Sequence, residues 1–187
     1  MNERLQKLEE KCKACRKCEL CNSRKNIVFS GGVPADVMLI GEAPGANEDE
    51  QGQPFIGRSG KLLDSLLAEI GLSREENIYI CNTIKCRPPQ NRDPSLQEKL
   101  ACKEFLDAQI EIINPKVILL CGKVAVSSFI ETKEPISKIR GKWFNGPNGA
   151  KMMPIYHPAY LLRSPSPEVG KPKWLMQQDL QEVKKAL

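Results

Sequence analysis

Histidine is almost missing from this chain: 187 residues contain one, His157. Imidazole chemistry near neutral pH must therefore run through that single residue. Aromatic side chains make up only 5%, too few for the extended stacking platform of a single-strand-binding surface. No apolar run approaches the roughly 18 residues of a membrane span. The charged start MNERLQKLEEKCKACRK does not resemble a secretory leader, so a cytoplasmic protein without membrane contact is expected. Repeats and low-complexity segments are lacking, and Ser164–Pro167 (SPSP) reads as a stiff loop. A phosphate-cradling P-loop is lacking too. The near match, Gly52-x4-Gly57-Arg58-Ser59, has Arg in place of the phosphate-binding Lys and carries Pro54 and Phe55 inside the loop.

The chain is long enough for one domain with a substantial core and needs no disulfides for stability. Its net charge of +5 is compatible with a polyanionic partner without demanding one. Four apolar runs read as buried strands: Val37–Ile40, Ile78–Ile84, Val117–Cys121 and Met152–Tyr156. Between them lie helical patterns. The first covers Glu3 to about Cys15. Another runs through Leu62, Leu63, Leu66, Leu67 and Ile70 to a stop at Gly71. A third, capped by Asp93-Pro94, extends to Ile113; Lys123–Ile130 and Lys173–Leu187 complete the set. Strands alternating with helices predict an α/β fold with a mostly parallel sheet covered on both faces.

The segment Gly41–Asp64, GEAPGANEDEQGQPFIGRSGKLLD, follows the first strand directly. In open α/β sheets the crevice beyond the carboxyl ends of the strands binds ligands, so a loop this rich in Gly, Pro and carboxylates is a candidate site. His157 stands at another strand end, where Pro158 stops the run. Leu161, Leu162 and Arg163 follow. They read either as an apolar wedge beside a phosphate anchor, in a loop, or as core residues of a short helix.

Eight cysteines in a reducing compartment suggest metal ligation or catalysis. Cys12, Cys15, Cys18 and Cys21 recur every third residue, and Cys86 and Cys102 follow far downstream. Cys81 and Cys121 sit inside apolar strands as small hydrophobes. Soft sulfurs at this spacing suit zinc or an iron–sulfur cluster. The N-terminal run could close a site alone, or one of its pairs could join Cys86 and Cys102.

Taken together, GEAPGANEDEQGQPFIGRSGKLLD, CNTIKCRPPQNRDP (Cys81–Pro94), HPAYLLR (His157–Arg163) and CRKCELCNSR (Cys15–Arg24) resemble the family 4, iron–sulfur uracil-DNA glycosylases. The resemblance implies a three-layer α/β/α sandwich with a four-stranded, mostly parallel sheet. It implies one domain over 1–187, whose N-terminal arm, 1–30, is tied to the body by a structural 4Fe-4S cluster on Cys15, Cys18, Cys86 and Cys102. The implied reaction is hydrolysis of the uracil–deoxyribose bond in single- or double-stranded DNA by a monomeric enzyme. Base flipping is required, because a stacked base cannot be reached.

By the same resemblance, Phe55 stacks on the base and Asn82 pairs with its O4 and N3–H. Cytosine presents the reverse pattern, which discriminates on the order of 10⁴-fold. His157 donates to O2 as charge develops there, and amides of Gly41, Glu42 and Ala43 bind the base further. Ala43 stands where the best-known members carry an Asp that positions water, which leaves Glu42 to orient the water. Glu48 is the candidate for excluding thymine, Leu161 for the wedge, and Arg163, Arg87 and Arg92 for phosphate contacts. Two other functions fit parts of the chain: a protein that traps uracil-DNA without turnover, and an electron carrier. The loop RPPQNRD lacks the His expected of the trapping proteins.

Overall fold

The computed structural model describes residues 3–187. Helix α1 (Glu3–Lys13) leads through a cysteine-rich turn to the two-residue strand β1 (Gly31–Gly32) and then to β2 (Val37–Gly41). Helices α2 (Ala46–Gln51) and α3 (Arg58–Ala68) precede β3 (Ile78–Asn82), and α4 (Leu96–Ile113) precedes β4 (Val117–Cys121). Short helices α5 (Lys123–Ser127) and α6 (Ile136–Ile139) and the two-residue β5 (Phe144–Asn145) lead to β6 (Lys151–Ile155). Helices α7 (Pro158–Arg163) and α8 (Pro172–Lys185) close the chain.

The sheet order is β1-β3-β2-β4-β6-β5. The four inner strands are parallel, as expected. The count expands to six because β1 and β5 add antiparallel edges of two residues each. Strand residues alternate between two cores. Leu39, Ile80, Leu119 and Met153 face Leu63, Leu66 and Leu67 of α3 and Met176, Leu180 and Val183 of α8. Met38, Ile40, Ile118 and Leu120 face Leu5 and Cys12 of α1 and Phe105, Leu106 and Ile110 of α4. Burial on both faces is why these strands read as unbroken apolar runs.

One local expectation is corrected, one open choice is decided, and the arm gains contacts that the sequence did not reveal. Helix α4 is capped by Ser95, not Asp93: Ser95 Oγ accepts from Glu98 N, and Glu98 accepts from Ser95 N, a reciprocal capping box. Of the two readings of the segment after His157, the short helix holds, with Pro158 at its first position. The N-terminal arm is held to the body by hydrogen bonds and an ion pair. Asp49 accepts from the amides of Lys25 and Asn26 at 2.9 and 3.2 Å, and Lys17 pairs with Glu104 at 2.6 Å.

Candidate active site and cysteine cavity

Parallel pairing brings Gly41 opposite Asn82 and Cys121 opposite Ile155 at the carboxyl ends of the strands. One cleft opens there. It is lined by Glu42, Ala43, Glu48, Phe55, Asn82, Arg92, His157 and Arg163, so residues far apart in sequence meet on a single surface. Gly41 lies behind them. A Cβ there would collide with the Phe55 ring and the Asn82 carboxamide, so glycine lets both side chains close over the strand end.

Phe55 adopts φ 54°, a costly left-handed backbone for a bulky residue. Its neighbours hold it there. Arg74 donates to the carbonyls of Pro54 and Phe55 at 2.7 and 2.6 Å, and Glu48 Oε1 accepts from the amides of Ile56 and Gly57 at 3.0 and 2.9 Å. Glu48 thus lines the cleft while fixing the turn that presents Phe55. The Phe55 and His157 rings lie 5.8 Å apart, centre to centre, and are tilted by 31°.

Asn82 is buried, and its Oδ1 has no hydrogen-bond partner. An unpaired buried carbonyl is costly unless a ligand satisfies it. His157 caps α7: its Nδ1 accepts from the Ala159 amide at 3.1 Å. That bond puts the proton on Nε2, leaving a neutral imidazole with one free donor. Burial holds His157 below its ordinary range, with Arg163 adding to the effect and Glu48 opposing it. Burial raises Glu42, Asp93 raises it further, and Lys99 opposes both.

Some expected contacts differ. Leu161 is only 1% exposed and packs in the α3–α8 core, whereas Leu162 is 42% exposed. The wedge assignment to Leu161 therefore fails: the face of α7 that carries Leu161 is spent on packing. Arg92 lines the cleft, but both of its terminal nitrogens bond the Glu98 carboxylate at 2.8 and 2.6 Å. It orders its loop rather than presenting a free cation. Arg87 lies outside the cleft lining and donates to Asn91 Oδ1 at 2.7 Å. Asn91 and Asp93 also line the cleft. Nothing in the sequence marks them as cleft residues, because a polar loop residue carries no signal of which way it faces.

A second cavity lies beside the first. Cys12, Cys15, Cys18, Cys21, Cys86 and Cys102 line it, together with Lys17, Arg24 and Lys85. Arg24 Nη1 donates to Cys86 Sγ at 3.2 Å, and the Lys85 amide donates to Cys102 Sγ at 3.3 Å. Cys12 is packed in the α1–α4 core, and burial pushes its thiol up to about 12. Cys21 Sγ donates to Asn22 Oδ1 at 3.4 Å. Among the described residues, no three Cys, His, Asp or Glu side chains converge closely enough for a single ion. Six thiols lining one small cavity, with N–H groups donating to Cys86 and Cys102, supply the donor type of a cluster in which each iron takes one thiolate. Cys81 and Cys121 are fully buried in strands, as expected of small hydrophobes.

Comparison with known proteins accords with this arrangement. The profile of the uracil DNA glycosylase superfamily matches residues 29–184. The chain is 44% identical over 179 residues to the type-4 uracil-DNA glycosylase of Thermotoga maritima, a match covering 95% of this chain and 91% of that protein. It is 44% identical over 171 residues to the Sulfurisphaera tokodaii type-4 enzyme, covering 87% and 77%. It is 43% identical over 189 residues to that of Saccharolobus solfataricus, covering 96% and 85%. With the strand-end cleft and the cysteine cavity accounted for, the chain belongs to the uracil-DNA glycosylase superfamily, as a type-4 member.

Proposed function

We propose that the protein is a monofunctional uracil-DNA glycosylase: it hydrolyses the bond between uracil and deoxyribose and leaves an abasic site for base excision repair. The observation that carries this reading is the buried Asn82 Oδ1 without a partner, in the same cleft as a ring and a neutral imidazole donor. A flipped uracil would stack on Phe55 and give its N3–H to Asn82 Oδ1, while Asn82 Nδ2 donates to O4. Cytosine offers a lone pair at N3 and a donor at C4, so neither bond forms.

Bond breaking leaves negative charge on the uracil and cationic character on the sugar. His157 Nε2–H would meet the charge at O2, and a preorganised donor of this kind supplies roughly 3–4 kcal/mol. A neutral imidazole suits the task, since it donates without giving up its proton. Amides of Gly41–Ala43 would support the base. Glu42, on the rim of the cleft and raised toward the range of a useful base, would orient water toward the sugar carbon and offset its charge. Asn91 and Asp93 stand in the same cleft as further water-holding groups. Glu48, behind the Phe55 turn, would close the space that a C5 methyl group needs. Arg163 and Arg87 would contact phosphates, and exposed Leu162 replaces Leu161 as the wedge.

A 4Fe-4S cluster on Cys15, Cys18, Cys86 and Cys102 would supply a covalent crosslink joining the N-terminal arm, the end of β3 and α4. The whole chain then acts as one catalytic unit, monomeric and cytoplasmic; among the described residues no helix is long and apolar enough to cross a membrane.

The test is an oligonucleotide with one central uracil, incubated with iron-loaded protein and then treated with alkali. Scission at the uracil, and none at cytosine or thymine in matched strands, is expected. Intact uracil strands would overturn the reading.

A further inference from the structure

Lys85 is 0% exposed. An ammonium this deep carries a large desolvation penalty unless its charge is balanced. No carboxylate does so: none of the ion pairs among the described residues includes Lys85. Its Nζ donates instead to the Asn82 backbone carbonyl oxygen at 2.6 Å. On its other side it lines the cysteine cavity together with Cys12 and Cys102.

The backbone of the same residue is anchored in both directions. Its amide donates to Cys102 Sγ at 3.3 Å, and its carbonyl accepts from Val28 N at 2.9 Å. Between Lys85 and the cleft, the amides of Thr83 and Ile84 donate to the carbonyls of Gly41 and Glu42 at 2.9 and 3.3 Å, and Thr83 Oγ1 donates to Glu42 O at 2.6 Å. The five-residue path from Asn82 to Cys86 thus joins the base-reading carboxamide to a sulfur of the cavity, and the Lys85 side chain folds back to close that path on itself.

We propose that Lys85 is a positioning residue for uracil recognition: its buried Nζ clamps the Asn82 backbone carbonyl and so holds the Asn82 carboxamide in its base-reading orientation. The proposal rests on the function proposed above, in that it takes Asn82 as the group that reads the base.

Two readouts test it, both on iron-loaded Lys85→Met protein. Hydrogen exchange at the Thr83 and Ile84 amides is expected to quicken by about tenfold or more while the visible absorbance of the cluster is retained. In single turnover, uracil release is expected to slow by about tenfold, with a loss of preference over cytosine. Added to Asn82→Ala, the same change is expected to cost nothing further, because residues acting through one group are not additive. A merely structural lysine would lower stability and give additive effects. Lys85→Gln, which removes the charge but keeps a polar end, is expected to show the same pattern.

Wild-type exchange and release in either folded variant would overturn the proposal. So would additive effects with Asn82→Ala, or loss of the fold or the cluster, which would make Lys85 a support of the cysteine site alone. The exchange measurement does not depend on activity, so a wild-type protein that released no uracil would overturn the proposed function and leave the clamp to be decided by exchange.

Discussion

At the residue scale, the cleft works by removing alternatives. Gly41 leaves the volume that Phe55 and Asn82 fill, the Ala159 amide decides which nitrogen of His157 carries the proton, and the Phe55 backbone is held in a left-handed conformation by Arg74 and Glu48. The carboxylate of Glu42 is raised first by burial and next by Asp93. Asp93→Asn removes the second cause, so Glu42 should ionise at lower pH than in the wild type. NMR titration of isotope-labelled glutamate side chains checks this, and an unmoved Glu42 would remove Asp93 from its surroundings. Phe55, Asn82 and His157 were legible from the resemblance because each sits in a matching motif. Lys85 was not, because a lysine in a loop reads as solvated and nothing in its neighbours' identities signals that the chain folds over it.

At the element scale, two short pieces decide how the cleft meets its surroundings. Helix α7 buries one leucine and exposes the next. A six-residue helix between a proline and a loop has no periodicity from which its phase could be read, which is why the sequence alone left both leucines ambiguous. Leu161→Ala should cost roughly 2–5 kcal/mol of stability in denaturant unfolding, as for other buried leucines. Leu162→Ala should leave stability nearly unchanged and slow excision from duplex DNA by about tenfold while sparing single strands, because only a duplex must be held open. The start of α4 is the other piece. Glu98 bonds Arg92 and closes the capping box, which lowers its carboxyl to about 2. A depressed carboxyl contributes stability that is present above its unfolded value, near 4.3, and is lost as pH falls through the folded one. Glu98→Gln should therefore flatten the loss of stability between about pH 4 and pH 2, read from unfolding midpoints across that range. Asp93 was the expected cap because Asp-Pro is a familiar opening. Ser95 takes the position because a Glu three residues on completes the reciprocal bonds.

At the scale of the whole molecule, the parallel sheet gathers the candidate site at one end, and the cysteine cavity is lined by the N-terminal arm, the loop after β3 and α4. The four inner strands were legible because burial on both faces leaves continuous apolar runs; the two edge strands were not, since two residues of Gly or Phe-Asn carry no pattern. The cysteine set divides by surroundings, with Cys12 packed in the core and Cys21 bonded to Asn22. Cys86→Ser and Cys102→Ser proteins should lose the brown chromophore, and Cys12→Ser and Cys21→Ser should keep it, as visible absorbance of the purified proteins would show. The central claim is that the cleft releases uracil by stabilising its negative charge through His157. Single-turnover release from a uracil-containing duplex, with binding measured in parallel, tests it most directly. His157→Ala should slow release by about 10²-fold or more with DNA affinity preserved; release at the wild-type rate would contradict the account.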